Sequence, residues 1–244
     1  MIKLLEDSNI LRSFTDICGE KLKSLAISYG TAKPFCTFWQ QIDGAGDITA
    51  VICKIGSAVT VSLKNADRQE LVDFLEFIGF DELICDETLG DEIVEYDKEK
   101  IYAVEKAVNP QNVICSNLSF NEFSAIYNQL AETDSDAIEV GDFDSWYVDL
   151  AHRIRHGGAV AILREYGCGI GLLSESTVIV NGIVVNPSSR SRGYGKQILN
   201  YIENFGKTRS LAFCLETELN FYKKCGYKLT GNYSLFRKGK KNNA

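Results

Sequence analysis

The sequence IVVNPSSRSRGYGKQIL, residues 183–199, decides the fold. It reads as an apolar strand, a short polar turn after Asn186-Pro187, and an amphipathic helix. The first turn of a helix presents unpaired main-chain N–H groups and about half a positive charge, so it attracts anions. Glycines in the turn let an anion approach the backbone, and basic side chains add charge. The glycines and basic residues of this turn predict a pyrophosphate site; they are Arg190, Arg192, Gly193, Gly195 and Lys196.

Two common nucleotide-binding motifs do not fit this turn. A dinucleotide-binding Gly-x-Gly-x-x-Gly would need a third glycine at position 198, where the sequence has Ile198. A P-loop ends in Gly-Lys-Ser/Thr, but Gln197 follows Lys196 here. A tight turn with solvated basic side chains stays as the structural alternative.

Two motifs carry a resemblance to a known family. Residues 185–195, VNPSSRSRGYG, resemble the V-x-P-x-x-R-x-x-G-x-G signature of the GNAT superfamily of N-acetyltransferases. Residues 222–227, YKKCGY, resemble the Y-x-x-x-G-[FY] motif near the C-terminus of that family. A helix and an apolar strand separate the two motifs, as in the family. The resemblance covers about residues 118–240.

The resemblance implies a site for acetyl-coenzyme A as co-substrate. Ile183, Val184 and Val185 would contact the pantetheine arm, and Tyr222 would protonate the leaving thiolate as the general acid. Core packing is the structural alternative for Tyr222. The loop that would hold the pyrophosphate consists of Arg190, Ser191, Arg192, Gly193, Tyr194, Gly195 and Lys196.

The general base has no clear candidate. Many family members carry a Glu on the strand before the first motif, but residues 178–185 contain no carboxylate and the nearest is Glu175. Glu216 stands where many members have Asn, six residues before Tyr222. We therefore name Glu216 as a second candidate catalytic residue, with a carboxylate at a helix N-terminus as its structural alternative.

Hydrophobic periodicity predicts the same order of elements in both halves of the chain. Each half has a helical segment, three strands, a helix and a further strand. The first half contains helical segments near 8–28, strands 35–41, 48–55, 58–63 and 80–86, and a helix over 67–78. The second contains helices 120–130, 143–155, 195–205 and 219–225, and strands 159–163, 168–173, 178–185, 210–216 and 227–236.

This repetition predicts an α+β fold with two GNAT-like copies in tandem. We expect a mixed, largely antiparallel sheet flanked by helices, with a degenerate copy over residues 1–108 and a functional copy over residues 109–244. The boundary is placed near Asn109-Pro110 because proline interrupts the pattern. One larger sheet domain without duplication is the alternative.

The N-terminal copy lacks the features of an anion site. Its corresponding turn, residues 64–70, reads KNADRQE and has no glycine, and Leu75 aligns by sequence with Tyr222. Residues 1–105 hold 10 basic against 20 acidic residues, whereas residues 106–244 hold 16 against 13. We therefore expect coenzyme A to bind only the second half, and the first half to shape the acceptor cleft or act as a scaffold.

Composition narrows the class of protein further. The chain has 244 residues, 45% of them hydrophobic and 24% charged, which is ordinary for a globular protein. No apolar run approaches the roughly 20 residues of a membrane span, and the charged start does not resemble a signal peptide, so we expect a soluble cytoplasmic protein without membrane partners. The basic tail, residues 237–241, has no interleaved aromatic residues, which disfavours nucleic-acid binding.

The metal-binding residue types are sparse. Eight cysteines lie without any C-x-x-C pair and mostly within apolar stretches, which indicates buried thiols. His152 and His156 stand one helical turn apart but lack a third ligand. We expect no metal site.

The sequence thus predicts an acetyltransferase enzyme that moves an acetyl group directly from acetyl-coenzyme A to a primary amine. The acceptor is expected to be a small molecule or a peptide. Its recognition is expected to involve the first half, the helix bearing Trp146, Tyr147 and His152, the nearby His156 and adjoining loops, with ordinary packing as the structural alternative. A non-catalytic acyl-coenzyme A sensor or scaffold is the alternative. Assembly as a homodimer is left open.

Overall fold

A computed structural model describes residues 1–93, 96–109, 118–132, 142–206 and 208–238. They form a twelve-stranded sheet with helices on both faces. The strands are β1 (Ile2–Leu4), β2 (Ala32–Lys33), β3 (Cys36–Ile42), β4 (Ile48–Ile55), β5 (Ala58–Leu63), β6 (Glu82–Asp86), β7 (Asp97–Ala107), β8 (Ala159–Arg164), β9 (Gly167–Leu173), β10 (Thr177–Val185), β11 (Arg209–Cys214) and β12 (Lys228–Arg237). The helices are α1 (Ile17–Tyr29), α2 (Arg68–Ile78), α3 (Glu87–Gly90), α4 (Phe120–Ala131), α5 (Phe143–Arg155), α6 (Tyr194–Glu203) and α7 (Leu219–Lys224).

The predicted repetition of elements is confirmed. In each half, three antiparallel strands lead into a helix and then into a strand parallel to the third: β3-β4-β5-α2-β6 and β8-β9-β10-α6-β11. The other strand pairs within the described ranges are antiparallel. The mixed, largely antiparallel sheet flanked by helices is therefore as predicted.

The last strand of each half completes the sheet of the other half. The sheet order is β1-β3-β4-β5-β6-β12-β7-β11-β10-β9-β8, with β2 paired to β3. Strand β12 thus lies beside β6 from the first half, while β7 lies beside β11 from the second. The two exchanged strands pair with each other at the centre, from Lys228–Glu105 to Arg237–Asp97. The halves form one continuous sheet.

The strand β7 was not predicted from the sequence. Its run DKEKIYAVEKA carries charged residues on both sides of the uncharged residues 101–104. Several of these charged side chains form ion pairs with neighbouring elements. Lys106 pairs with Glu203 at 2.8 Å, and Glu105 pairs with Arg209 at 2.8 Å. These tertiary ion pairs allow a highly charged segment to occupy the centre of a sheet. Asn109 follows this strand, and Pro110 lies outside the described residues.

Helices pack on both faces of the sheet and create separate cores. Helices α2, α6 and α7 cover one face, and α1, α4 and α5 cover the other. Successive residues of β12 pack on opposite faces of the sheet: Leu235 packs under α1 and α4, whereas Phe236 packs against α2. The seven described cysteines are free and buried, as predicted; Cys115 lies outside the described residues.

The strand exchange predicts that the two halves unfold together. Phe236 belongs to the C-terminal half of the chain but is fully buried in the core of the first half. We expect Phe236→Ala to lower the free energy of unfolding by about 3–5 kcal/mol because it leaves a cavity. Urea unfolding followed by tryptophan fluorescence and by circular dichroism checks this, and the two signals should shift together.

Phe77→Ala is the matched control. Phe77 lies on α2 with 85% of its surface exposed, so its truncation should change stability by no more than about 0.5 kcal/mol. Two separate transitions in the Phe236→Ala variant, with only one of them shifted, would contradict the exchange of central strands.

Candidate active site

The strands β10 and β11 separate part of the way along their length. They pair in parallel from Thr177–Arg209 to Val180–Ala212, and no pair follows although β10 continues to Val185. The register of β10 against β9 shifts between Val180 and Gly182, so an irregularity marks the point of divergence. The edge of β10 formed by Ile183, Val184 and Val185 therefore faces a gap instead of a neighbouring strand.

Helix α6 begins next to this gap with an open N-terminus. Its N-cap residue is Gly193, which adopts φ 83 and supplies no side-chain cap. The first helical hydrogen bond runs from Gln197 N to Gly193 O at 3.2 Å, so the amides of Tyr194, Gly195 and Lys196 precede it. A helix start of this kind can accept an anion on its main-chain amides.

The glycines of β9 fix the position of α6. A Cβ atom at Gly169 would lie 2.6 Å from Ile198 and 2.7 Å from Ile202, both on α6. The lack of a side chain at Gly169 therefore lets the helix pack directly against the sheet. At the start of the helix the Tyr194 ring stacks on Tyr166 with ring centroids 4.1 Å apart.

A cavity of about 670 Å³ connects the gap between the strands with the two motifs. Of the residues predicted for cofactor binding, Ile183, Val184, Val185, Arg190 and Gly195 line it, as does the predicted acid Tyr222. Ser191, Arg192, Gly193, Tyr194 and Lys196 continue the same loop and helix start outside the lining. Arg190 Nε donates to Val185 O at 3.3 Å, which ties the loop to the end of β10.

Tyr222 lies on α7 at the side of the cavity, with its ring largely buried. The ring packs edge-on against Phe221 and Tyr227, with centroid distances of 5.2 and 5.3 Å. Burial raises the pKa of the Tyr222 hydroxyl well above its ordinary value, and the Glu218 carboxylate raises it further. The phenol therefore keeps its proton at any physiological pH and can act as an acid.

Glu216 does not reach the cavity. It lies in an exposed 3₁₀ turn, Glu216–Glu218, and only Thr217 and Glu218 of this turn contribute to the lining. Glu218 accepts a hydrogen bond from Leu215 N at 2.9 Å. Glu175 is also remote, since it pairs with Arg12 at 3.2 Å on the surface.

The far end of the cavity carries charged side chains that the sequence did not single out. They come from three central strands and from α1: Glu82, Glu99, Arg237 and Lys21. Arg237 lies 3.7 Å from Glu82 and 3.8 Å from Glu99. Burial lowers the pKa of Lys21, and the Glu82 carboxylate opposes that shift. These residues lie far apart in the sequence, so no local motif connects them.

The aromatic residues expected to recognise the acceptor lie elsewhere. Trp146 and Tyr147 pack with Phe123 between α4 and α5. His152 stacks on Tyr29 with a centroid distance of 4.9 Å, and its Nε2 lies 2.9 Å from Ser28 O. None of them belongs to the lining of the cavity.

The counterpart of α6 in the first half has a closed N-terminus. Asp67 caps α2, and its Oδ1 accepts from Glu70 N at 3.1 Å. Gln41 engages the main chain of the same cap, since its Oε1 accepts from Asp67 N at 3.0 Å and its Nε2 donates to Asp67 O at 2.8 Å. The protein's own side chains thus occupy the position that an anion would take.

The sequence alignment of Leu75 with Tyr222 was wrong. Leu75 lies in α2, between β5 and β6, and this is the place that α6 takes between β10 and β11 in the other half. The topological counterpart of α7 is α3, which follows β6 as α7 follows β11. The short aromatic–glycine–aromatic segments at 74–80 and 221–227 therefore occupy different places in the two halves.

Two further findings concern metals and membranes. Within the described ranges, no group of three or more His, Cys, Asp or Glu side chains could hold a metal ion. His152 and His156 stack on each other, with ring centroids 4.0 Å apart. None of the helices in the same ranges is both long and apolar enough to span a bilayer.

Comparison with known proteins matches part of the chain to a family model. Residues 146–229 match the family model of the acetyltransferase (GNAT) domain, a range that contains both sequence motifs. The C-terminal half therefore contains a stretch that matches a GNAT acetyltransferase domain. A search of curated proteins gave no significant match.

Solved structures of GNAT proteins share the fold over nearly the whole chain. A GCN5-related N-acetyltransferase from Sphaerobacter thermophilus aligns with a TM-score of 0.56 at 9% identity, covering 98% of this chain and 95% of that one. One from Kribbella flavida aligns with a TM-score of 0.54 at 14% identity, covering 92% and 95%. A tandem GNAT protein from the clavulanic acid biosynthesis pathway aligns with 0.51 at 9% identity, covering 97% of each chain. The tandem GNAT architecture is thus a known arrangement.

Proposed function

We propose that this protein is an N-acetyltransferase that moves an acetyl group from acetyl-coenzyme A to a primary amine of a small molecule or peptide. The observation that carries the proposal is a single cavity joining three features: the open start of α6, the free edge of β10 and the hydroxyl-bearing ring of Tyr222. Each feature corresponds to one part of the co-substrate: diphosphate, pantetheine and thioester.

The diphosphate is assigned to the start of α6. The amides of Tyr194, Gly195 and Lys196 would donate to its oxygens at the positive end of the helix dipole. Arg190 and Arg192 would add charge-assisted hydrogen bonds. The pantetheine amides would pair with the main chain of Ile183 to Val185, because this edge of β10 has no strand beside it.

The transfer needs one bond to form and one to break. The amine nitrogen attacks the thioester carbonyl carbon, a C–N bond forms, and the C–S bond breaks. The leaving thiolate takes the phenolic proton of Tyr222, and the proton released by the nitrogen restores that phenol. The phenol of Tyr222 enters each cycle protonated, as this role requires, because burial keeps its pKa from falling.

We assign the first half a supporting role and place the boundary between the copies near residue 108. Its helix α2 has a capped N-terminus, so it lacks the open amides that a diphosphate needs. Its strands β6 and β7, together with β12, form the far end of the cavity instead. The degenerate copy would thus shape the acceptor cleft.

The assigned diphosphate site predicts a loss of affinity when its exposed cations are removed. The double variant Arg192→Met/Lys196→Met should weaken coenzyme A binding about tenfold or more, since each charged contact is worth about 1.5–3 kcal/mol. Isothermal titration calorimetry measures this. Lys33→Met, which removes an exposed lysine outside the cavity lining, is the control and should bind as the parent chain does. Unchanged affinity in the double variant would refute the assignment.

The assigned acid predicts both a kinetic defect and a pH profile. Tyr222→Phe keeps the packing but has no proton to donate, so kcat should fall about 10²–10⁴-fold with coenzyme A binding intact. Thiol release with an amine panel measures the rate. Since burial raises the pKa of Tyr222, the parent enzyme should not lose activity near pH 10 through ionisation of this group.

Two outcomes of that assay would count against these roles. Full turnover by Tyr222→Phe would remove the residue as the acid. Binding of acetyl-coenzyme A by the parent chain, with no thiol released in the presence of any amine, would favour a sensor or scaffold over an enzyme.

A further inference from the structure

The proposed transfer leaves one proton without an acceptor on the protein. An alkylamine is an ammonium ion at neutral pH, and its nitrogen then has no lone pair with which to attack a thioester. Tyr222 cannot take this proton, because its hydroxyl already carries one. Glu216 and Glu175, the two carboxylates considered from the sequence, lie outside the cavity lining. If the protein itself accepts the proton, another carboxylate must do so.

Three carboxylates of the described residues line the cavity, and one of them has no cation beside it. Glu82 and Glu99 lie at the far end, where Arg237 is 3.7 and 3.8 Å from them. Glu218 ends the 3₁₀ turn that leads into α7. In the part of the chain that the structure describes, no lysine, arginine or histidine lies within 4.0 Å of its carboxylate. Its negative charge therefore faces the cavity unpaired.

Glu218 and Tyr222 lie on the same side of α7. Glu218 is the N-cap residue with near-helical φ −93 and ψ −16, and Tyr222 follows four residues later. Residues four apart on a helix are neighbours on one face. The Glu218 carboxylate also raises the pKa of the Tyr222 hydroxyl and of the Cys214 thiol at the end of β11. The carboxylate is therefore close to the place assigned to the thioester.

The Glu218 carboxylate is anchored through one oxygen and free at the other. Its Oε2 accepts a hydrogen bond from Leu215 N at 2.9 Å, which holds the side chain across the turn. Its Oε1 accepts none from the described residues. An ionised carboxylate has about four lone-pair sites, so this one can still receive a donor. Because Glu218 is exposed to solvent, a proton that it accepts can pass on to water.

We propose that Glu218 is the general base of the reaction, and that its free oxygen binds the acceptor as an ammonium ion and takes one proton from it. This inference rests on the proposed acetyltransferase function and adds a catalytic residue to it. It also restricts the acceptor to primary amines that are charged at neutral pH.

The protons of the complete reaction balance. The ammonium nitrogen gives one proton to Glu218 and becomes a neutral amine, which attacks the thioester carbonyl carbon. The C–S bond breaks, the thiolate takes the proton of Tyr222, and the nitrogen returns a second proton to the Tyr222 oxygen. Glu218 then releases its proton to water. An ammonium ion and acetyl-coenzyme A thus yield an N-substituted acetamide, free coenzyme A and one proton in solution.

Steady-state kinetics of Glu218→Gln test the assignment. Glutamine keeps an oxygen that can accept from Leu215 N, but it cannot take a proton. Thiol release is measured with the best of ethylamine, phenethylamine and putrescine, and with 2,2,2-trifluoroethylamine, which is largely uncharged at neutral pH because its fluorines withdraw electrons. With the charged amine we expect kcat/KM to fall about 10²–10⁴-fold. With trifluoroethylamine it should stay near the parent value, since this amine needs no base before it attacks.

The pH profile gives a readout that a purely structural role would not move. Between about pH 6 and 8 a carboxylate is ionised and an alkylamine is protonated, so kcat/KM of the parent should be level. In Glu218→Gln it should rise about tenfold per pH unit, because only the neutral amine in solution reacts. Tyr222 and Cys214 do not titrate in this range, since burial raises the pKa of Cys214 to about 12 and that of Tyr222 further. The other charged side chains of the lining are Arg190, Glu82, Glu99, Arg237 and Lys21.

Two further variants serve as controls. Glu216→Gln removes the neighbouring carboxylate of the same exposed turn, which lies outside the lining, and should keep both rates and the level profile. Burial lowers the pKa of Lys21, so its titration is checked separately. Lys21→Met should keep the level profile whatever its rate.

The outcomes separate this inference from the proposed function. A level profile in Glu218→Gln, or an equal loss of rate with charged and uncharged amines, would overturn the base and leave the acetyltransferase intact. Transfer by the parent to trifluoroethylamine but to none of the charged amines would do the same. Failure of the parent to bind acetyl-coenzyme A in calorimetry, or binding without transfer to any of these amines, would overturn both.

Discussion

The pairing of β10 with β11 ends at Val180 and Ala212, and the rest of the site depends on that break. Main-chain amides and carbonyls at the edge of a sheet need partners, whether protein, water or ligand. Here the free edge lies next to a helix whose first amides also lack a cap, because its N-cap is a glycine. Two sets of unpaired main-chain groups thus face the same space, and an elongated ligand with amides and phosphates can satisfy both.

The contrast with the first half shows that the fold alone does not make this site. Strands β5 and β6 also pair in parallel for only three residues, from Ala58–Glu82 to Thr60–Ile84. There the carboxylate of Asp16, at the start of α1, bonds to Ser62 and, at 3.2 Å, to the Tyr233 hydroxyl. Asp67 and Gln41 cap the adjacent helix. Side-chain chemistry at a few positions therefore distinguishes an open site from a filled one.

The exchange of central strands gives the two halves a common cavity. Strand β12 contributes Phe236 to the core of the first half, while its other face contributes Arg237 to the charged far end of the cavity. Strand β7 contributes Glu99 to the same end. The far end of the cavity is therefore assembled from strands of both halves.

The sequence predicted local features well and long-range features poorly. The turn at residues 190–196 and the helix bearing Tyr222 were identified because the residues that define each motif are close together in the sequence. The strand β7 was missed because its charges are compensated only by distant partners such as Glu203 and Arg209. The charged side chains at the far end of the cavity were missed for the same reason, since only the sheet register brings Glu82 beside Arg237. Glu216 was selected by its position in a motif, but it lies in an exposed turn and is not among the residues that line the cavity.

Hydrogen–deuterium exchange with and without acetyl-coenzyme A tests the central claim most directly. We expect protection of the amides over residues 183–197, where the free strand edge and the open helix start would engage the ligand. We expect no change over residues 64–71, where α2 is already capped by Asp67. Protection at the start of α2, or none at residues 183–197 under saturating ligand, would contradict the account.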